Sequence, residues 1–132
     1  MSDAMRALQA AAVSVLEVHP VLGTALAGIY DGPPPRAAFP YVSIADGITA
    51  DWSTKTAQGR EIRLALTVWD DGEEPSRLSS LMAHVEDAIA AMPRDLPGWR
   101  IASLVFVRSI VARDAAGPWA GLVEHRVRML TV

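Results

Sequence analysis

The 132 residues of this chain predict an α+β fold. The expected architecture is a four-stranded antiparallel sheet with two helices packed on one face, in the order α-β-β-α-β-β, with a projecting hairpin between strands 1 and 2. Three observations carry that expectation. Ile62, Leu64, Leu66 and Val68 share one parity while Glu61, Arg63, Ala65, Thr67 and Trp69 take the other, the period of two that gives a strand one buried face. Leu78, Leu81, Met82, Val85, Ile89 and Met92 then recur at three- and four-residue steps, which is one stripe of a helix. Two further strand-like runs follow, Trp99–Val111 and Gly121–Val132. Short connections between these elements favour an antiparallel sheet covered by both helices.

At this length one domain spanning residues 1–132 is expected, burying roughly two thirds of its unfolded surface. The apolar fraction of 51% and charged fraction of 20% describe a folding chain rather than a disordered one. No apolar run approaches the roughly 20 residues that cross a bilayer, so no membrane partner is expected. The stretch Met1–Arg6 carries an acid and lacks the basic start and cleavage site of a secretory signal. Cysteine is absent, which excludes disulfides and thiolate metal sites and fits a chain that stays in the cytoplasm where it is made. A net charge of −3 argues against sequence-independent binding to a phosphate backbone.

Taken in order, Ser2 or Asp3 is placed to cap a first helix. Met5, Leu8, Ala12, Val15 and Leu16 form its apolar stripe, and Pro20 disfavours helical geometry at His19, ending it near Val18. Pro20–Ala27 reads as one more short helical piece stopped by Gly28. Asp31, Gly32, Pro33, Pro34 and Pro35 read as a turn and a stiff connector. Pro40 starts a strand running from Tyr41 to Asp46. Val42, Ile44, Ile48, Ala50 and Trp52 are all even-numbered. That parity leaves two readings: one strand continuing past a bulge at Gly47 as an arm of a long hairpin with its tip at Thr54–Gly59, or a strand ending at Asp46 before a loop of about a dozen residues. Pro75 sits well at the start of the central helix, which Pro93 stops. Trp99–Val111, the most apolar run, reads as an interior strand. In the last strand Val123, Val127 and Met129 alternate with Glu124, Arg126 and Arg128, one buried and one charged face.

Catalytic chemistry is not legible. His19, His84 and His125 lie on three different elements with no metal-ligand spacing between them. Asp70, Asp71, Glu73 and Glu74 are the densest charge feature; acids before a helix are favoured by its macrodipole, and the stretch lacks the calcium-loop pattern. No serine sits in a nucleophile elbow and no glycine-rich phosphate loop is present. An enzyme is therefore not expected, nor any cofactor, metal or catalytic residue; a small metal-dependent cytoplasmic enzyme using the acidic cluster is the rival of another class. Two features fit an interaction protein better. Trp52 and Trp119 lie at connections, and tryptophan is enriched at binding hot spots. Arg100, Arg108, Arg113, Arg126 and Arg128 lie on the C-terminal strand pair, where they form a basic solvent-facing surface or pair with acids of a neighbour.

The order of features from Pro40–Gly47 through Arg63–Asp70 and the following helix resembles the small phage tail completion, or tail terminator, proteins of siphovirus-like particles, a family also carried by alphaproteobacterial gene transfer agents. The matching features are an N-terminal helix leading to Ile29–Gly32 and prolines, Phe39–Val42, the Trp52–Lys55 segment, a strand from Gly59 ending in Val68 and Trp69, a helix and a terminal hairpin. The resemblance implies a structural protein, without cofactor, that forms a homo-oligomeric ring of usually six subunits. Such a ring caps the finished tail tube and joins it to the head-tail connector or stopper protein, and DNA passes through its lumen without specific binding. It would be part of the virion or gene transfer agent particle at the head-tail junction. A head-tail adaptor or a tail tube component of the same particle is the nearest alternative. Contacts with a neighbouring subunit or the tube are expected at Asp51, Trp52, Ser53, Thr54, Lys55 and Thr56, at the acids Asp70, Asp71, Glu73 and Glu74, and at Arg113 and Trp119.

Overall fold

The first helix, α1 (Ala4–Val18), forms where its stripe lies. Leu8, Ala12 and Leu16 are fully buried at one-turn spacing, and Met5 and Val15 pack against the same core. The Asp3 carboxylate accepts the Arg6 N–H at 3.2 Å, capping the helix. His19 is extended, as the residue before a proline prefers, and α1 stops there. A computed structural model describes residues 3–32, 34–45, 47–113 and 115–132. Ser2 as a cap, Pro33 in the connector and Asp46 as a strand end lie outside the described residues. The remaining elements are α2 (Leu22–Ala25), β1 (Gly28–Asp31), β2 (Tyr41–Ile44), β3 (Thr49–Asp51), β4 (Gly59–Asp70), α3 (Ser76–Ala90), β5 (Asp95–Leu96), β6 (Trp99–Arg113) and β7 (Trp119–Thr131).

The expected four-stranded antiparallel sheet with two helices is not what forms. Among the described residues, seven strands make one mixed sheet in the order β1-β2-β4-β7-β6-β5, with β3 also pairing β4, and it curls into a half-barrel with three helices. β1 pairs parallel to β2 and the other pairs are antiparallel. β3, with three residues, belongs to the hairpin arm that one of the two readings carried past Gly47; β1 and β5, with four and two residues, are missing from the expectation. Pieces that short carry too few alternations to be read, and each is recruited by the open backbone edge of a longer neighbour.

The segment before β4 illustrates the point. Ile44 faces Leu66 whereas Thr49 faces Ile62, so residues 45–48 on one side match 63–65 on the other. One extra residue flips every side chain beyond it. Val42 and Ile44 are therefore buried, while Ile48 is 74% exposed and all of β3 faces solvent. The even-numbered row does not continue as a single buried arm. Gly47 lies in the irregularity, and a Cβ there would fall on the carbonyl oxygen of Arg63.

At the centre, β4 buries Ile62, Leu64, Leu66 and Val68 against Leu78, Leu81, Met82, Val85 and Ile89 of α3 and the stripe of α1. Met92, one turn further on, is buried too. β7 runs beside β4 along its whole length, from Gly59↔Leu130 to Asp70↔Trp119. Gly121 lets α3 approach closely, since a Cβ there would meet the Met82 sulfur.

A second correction concerns β6. It is not an interior strand: β7 flanks it on one side, but on the other β5 reaches only Trp99 and Arg100. The Ile101 N–H donates to the Arg94 carbonyl at 2.7 Å. From residue 102 to 113 that edge has no backbone partner among the described residues.

Candidate assembly interface

On the sheet face turned away from the helices, β4, β7 and β6 carry charge. Arg128 donates to Glu61 at 2.8 Å, and Glu124 accepts from Arg63 at 3.2 Å and from Arg108 at 2.7 Å. These hydrogen bonds hold the Glu61 and Glu124 carboxyls below the usual glutamate range, against the opposing effect of desolvation. Arg100 pairs with Asp95 at 3.2 Å. Most of the arginines expected to make a basic surface are thus matched within the chain. Arg126 stands directly opposite Arg63 and has no ion pair among the described residues.

Trp52 and the acidic stretch sit at opposite ends of β4. At about 3.3 Å per residue, its 12 residues separate the two by roughly 36 Å. At the first end, the Trp52 N–H donates to the Gly59 carbonyl at 2.9 Å, and its half-buried ring lies 5.4 Å from the Arg128 guanidinium. The Ser53 hydroxyl donates to Asp51 at 2.6 Å and accepts the Gly59 N–H at 3.0 Å; Arg60 approaches the same Asp51 oxygen at 3.3 Å. The Thr54 hydroxyl accepts the N–H groups of Thr56 and Ala57. The turn is built from its own side chains and leaves Lys55 and Thr56 exposed.

At the far end, three of the expected interface residues share one row: Asp70 faces Trp119, and Trp119 faces Arg113. Asp70 is fully buried and held by Arg77, whose Nε donates to one oxygen at 2.9 Å while a terminal amino group donates to the other. That hydrogen-bonded pair keeps the Asp70 carboxyl below its ordinary range. The charge of Asp70 is consequently spent inside the chain. Asp71 lies 3.6 Å from Arg77, and Asp71, Glu73 and Glu74 are exposed. The Trp119 indole N–H donates to the Gly72 carbonyl at 3.0 Å, and the Arg113 guanidinium stacks 4.8 Å from the Trp119 ring. Trp119 therefore ties the β4–α3 turn to β7.

A run of exposed apolar side chains lies where the sequence reading placed an interior strand. Val105, Phe106, Val107, Ile110 and Val111 of β6 are 37–45% exposed. Beside them, Ala83, Glu86, Asp87 and Ala90 of α3 form a groove with Leu104, Phe106 and His125. His125 is buried, edge-on to Phe106 at 5.7 Å, and desolvation lowers its pKa. A signal did exist: β6 is apolar on both parities, which fits a strand covered on both faces or one that awaits a partner.

The histidines, separate in the sequence, are partly united. The rings of His19 and His84 lie 5.3 Å apart, and His19 Nε2 meets Asp87 at 3.3 Å. His19 Nδ1 accepts the N–H groups of Val21 and Leu22, capping α2 in place of a serine or aspartate. Among the described residues no group of three potential ligands is arranged to hold a metal, and no helix is long and apolar enough to cross a membrane.

An open apolar strand edge, with charge largely neutralised around it, is the kind of surface that another strand or protein covers. Residues 6–130 match the family described as tail completion protein gp17, and the chain belongs to that family. Among solved structures it is similar to a chain in the virion of a native gene transfer agent particle, at 27% identity, covering 98% of this chain and 99% of that one with a TM-score of 0.76. It is also similar to the gp17 protein of bacteriophage SPP1, at 26% identity, covering 98% and 91% with a TM-score of 0.64. Among curated proteins nothing matches significantly.

Proposed function

We propose that this chain is a single structural domain that completes the tail of a phage-like particle, capping the finished tail tube and joining it to the head connector. It does so as a homo-oligomeric ring of six copies, with DNA passing through the lumen without sequence-specific contacts. The observation that carries this reading is the end-to-end likeness to a chain of a gene transfer agent virion, together with the family match over residues 6–130. The molecule's construction is consistent with it. A closed ring needs two unlike surfaces on each copy, and this sheet has two unlike edges, β1 with β3 on one side and β6 with the short β5 on the other. Nothing in the side-chain chemistry described above calls for a substrate.

The test is to make particles without this chain and examine them by electron microscopy. Filled heads separated from tails, with tails of irregular length, are expected. Normally joined particles would overturn the proposal, and loss of the tube itself would point instead to a tube subunit.

A further inference from the structure

We infer that the open edge of β6 is filled by the opposite sheet edge of a second copy of this chain, β1 with β3 beside it, so that the sheet continues from one subunit into the next. The inference rests on the reading of the chain as a ring subunit and names the surfaces that close the ring. Residues 102–113 offer a row of backbone donors and acceptors without a strand partner among the described residues, flanked by exposed Val105, Phe106 and Val111. Such an edge is a template for another strand.

Strand sense selects the partner. β1 runs parallel to β2, β2 antiparallel to β4, β4 to β7, and β7 to β6. β1 and β6 therefore run in opposite directions, and a copy added sideways without turning over meets β6 as an antiparallel neighbour, the more stable pairing. The two edges are also level. Asp31, Ile44, Leu66, Val123 and Ser109 form one continuous cross-sheet row. On the β3 side, Ile48 is 74% exposed with no cover of its own, an apolar counterpart for Val105 and Phe106. Self-pairing of two β6 edges would instead set arginines against arginines, and it would stop at a dimer.

The native chain has no cysteine, so crosslinking can be placed at will. In the full chain, Thr49→Cys and Val105→Cys together, treated with a short bis-maleimide in purified protein and in assembled particles, are expected to give a ladder of dimers, trimers and larger species. Each single variant should give none. Adding Val111→Asp, with circular dichroism confirming a normal fold, should reduce the ladder at least tenfold. Dimers from Val105→Cys alone would overturn the inference in favour of self-pairing. So would the absence of a ladder in particles that are otherwise complete, an outcome that leaves the tail-completion reading standing. Particles that join heads to tails normally without this chain would sink that reading separately.

Discussion

β4 and β6 are both long, and both are rich in valine, isoleucine and leucine, yet they have opposite fates. β4 lies between β2 and β3 on one side and β7 on the other, and one of its faces is closed by α1 and α3. β6 has β7 along one side and only the two-residue β5 on the other, and beyond Leu104 its side chains are largely exposed. Apolar content alone therefore does not decide burial in this protein. What decides it is whether neighbours arrive on both sides, which is set by the order of strands. Where β4 alternates, each residue has one environment; where β6 is apolar on both parities, half of its surface waits for a partner.

The contrast can be broken most sharply by placing one charge in each strand. Leu66→Asp should unfold the chain, costing more than about 4 kcal/mol, because the carboxylate would be buried without a partner. Val111→Asp should cost less than about 1 kcal/mol, since the side chain is 43% exposed. Urea denaturation followed by circular dichroism measures both; equal losses would mean that β6 is core after all.

A smaller loss is expected from Asp70→Asn, at the end of β4. It removes one partner of a buried pair, and about 2–3 kcal/mol is expected rather than more because Arg77 remains 54% exposed. Asp70 is one of the acids assigned to an interface from the sequence, and a stability loss of that size with assembly otherwise intact would make its role internal.

The boundary between the two regions is His125, which β7 places against Phe106 of β6 and beside Glu86 and Asp87 of α3. Its folded pKa lies below the ordinary value near 6.5 because burial disfavours the cation. The unfolded chain therefore binds the proton first, and stability falls as the pH drops below about 6.5, with a slope of at most about 1.4 kcal/mol per pH unit. Asp70 and Glu124 have depressed carboxyl pKa values; their contribution is complete at that pH and declines only below the ordinary carboxylate range. His125→Gln should flatten the stability profile between about pH 6.5 and 5; an unchanged slope would mean that the groove admits the charge.

The smallest effect should come from Trp52→Ala, which removes a half-buried ring stacked on Arg128 at the margin of β4. About 0.5–1 kcal/mol is expected, with the fold kept and incorporation into particles weakened. A variant that unfolds would show that the turn from Asp51 to Gln58 supports the strand it precedes.

Much of this was legible beforehand, and the reasons are local. The stripe of α3, the alternation of β4 and β7, the Asp3 cap and the stop at His19 each depend on residues within a few positions of one another. Trp52 and Trp119 stood out at connections, but their partners Arg128 and Gly72 are distant in the chain. The meeting of His19 with His84 and Asp87 was invisible for the same reason.

Periodicity in the chain determined which residues of α1, α3, β4 and β7 turn inward, because side-chain direction within one element follows from its own backbone geometry. It also carried enough of the tail completion pattern to indicate the family. The tertiary structure alone decided that β1 and β5 are strands, that one extra residue before Thr49 turns Ile48 outward, and that β6 is an edge. Each of these depends on which backbone lies alongside, and a backbone hydrogen bond to a distant strand leaves no mark on the residues that make it.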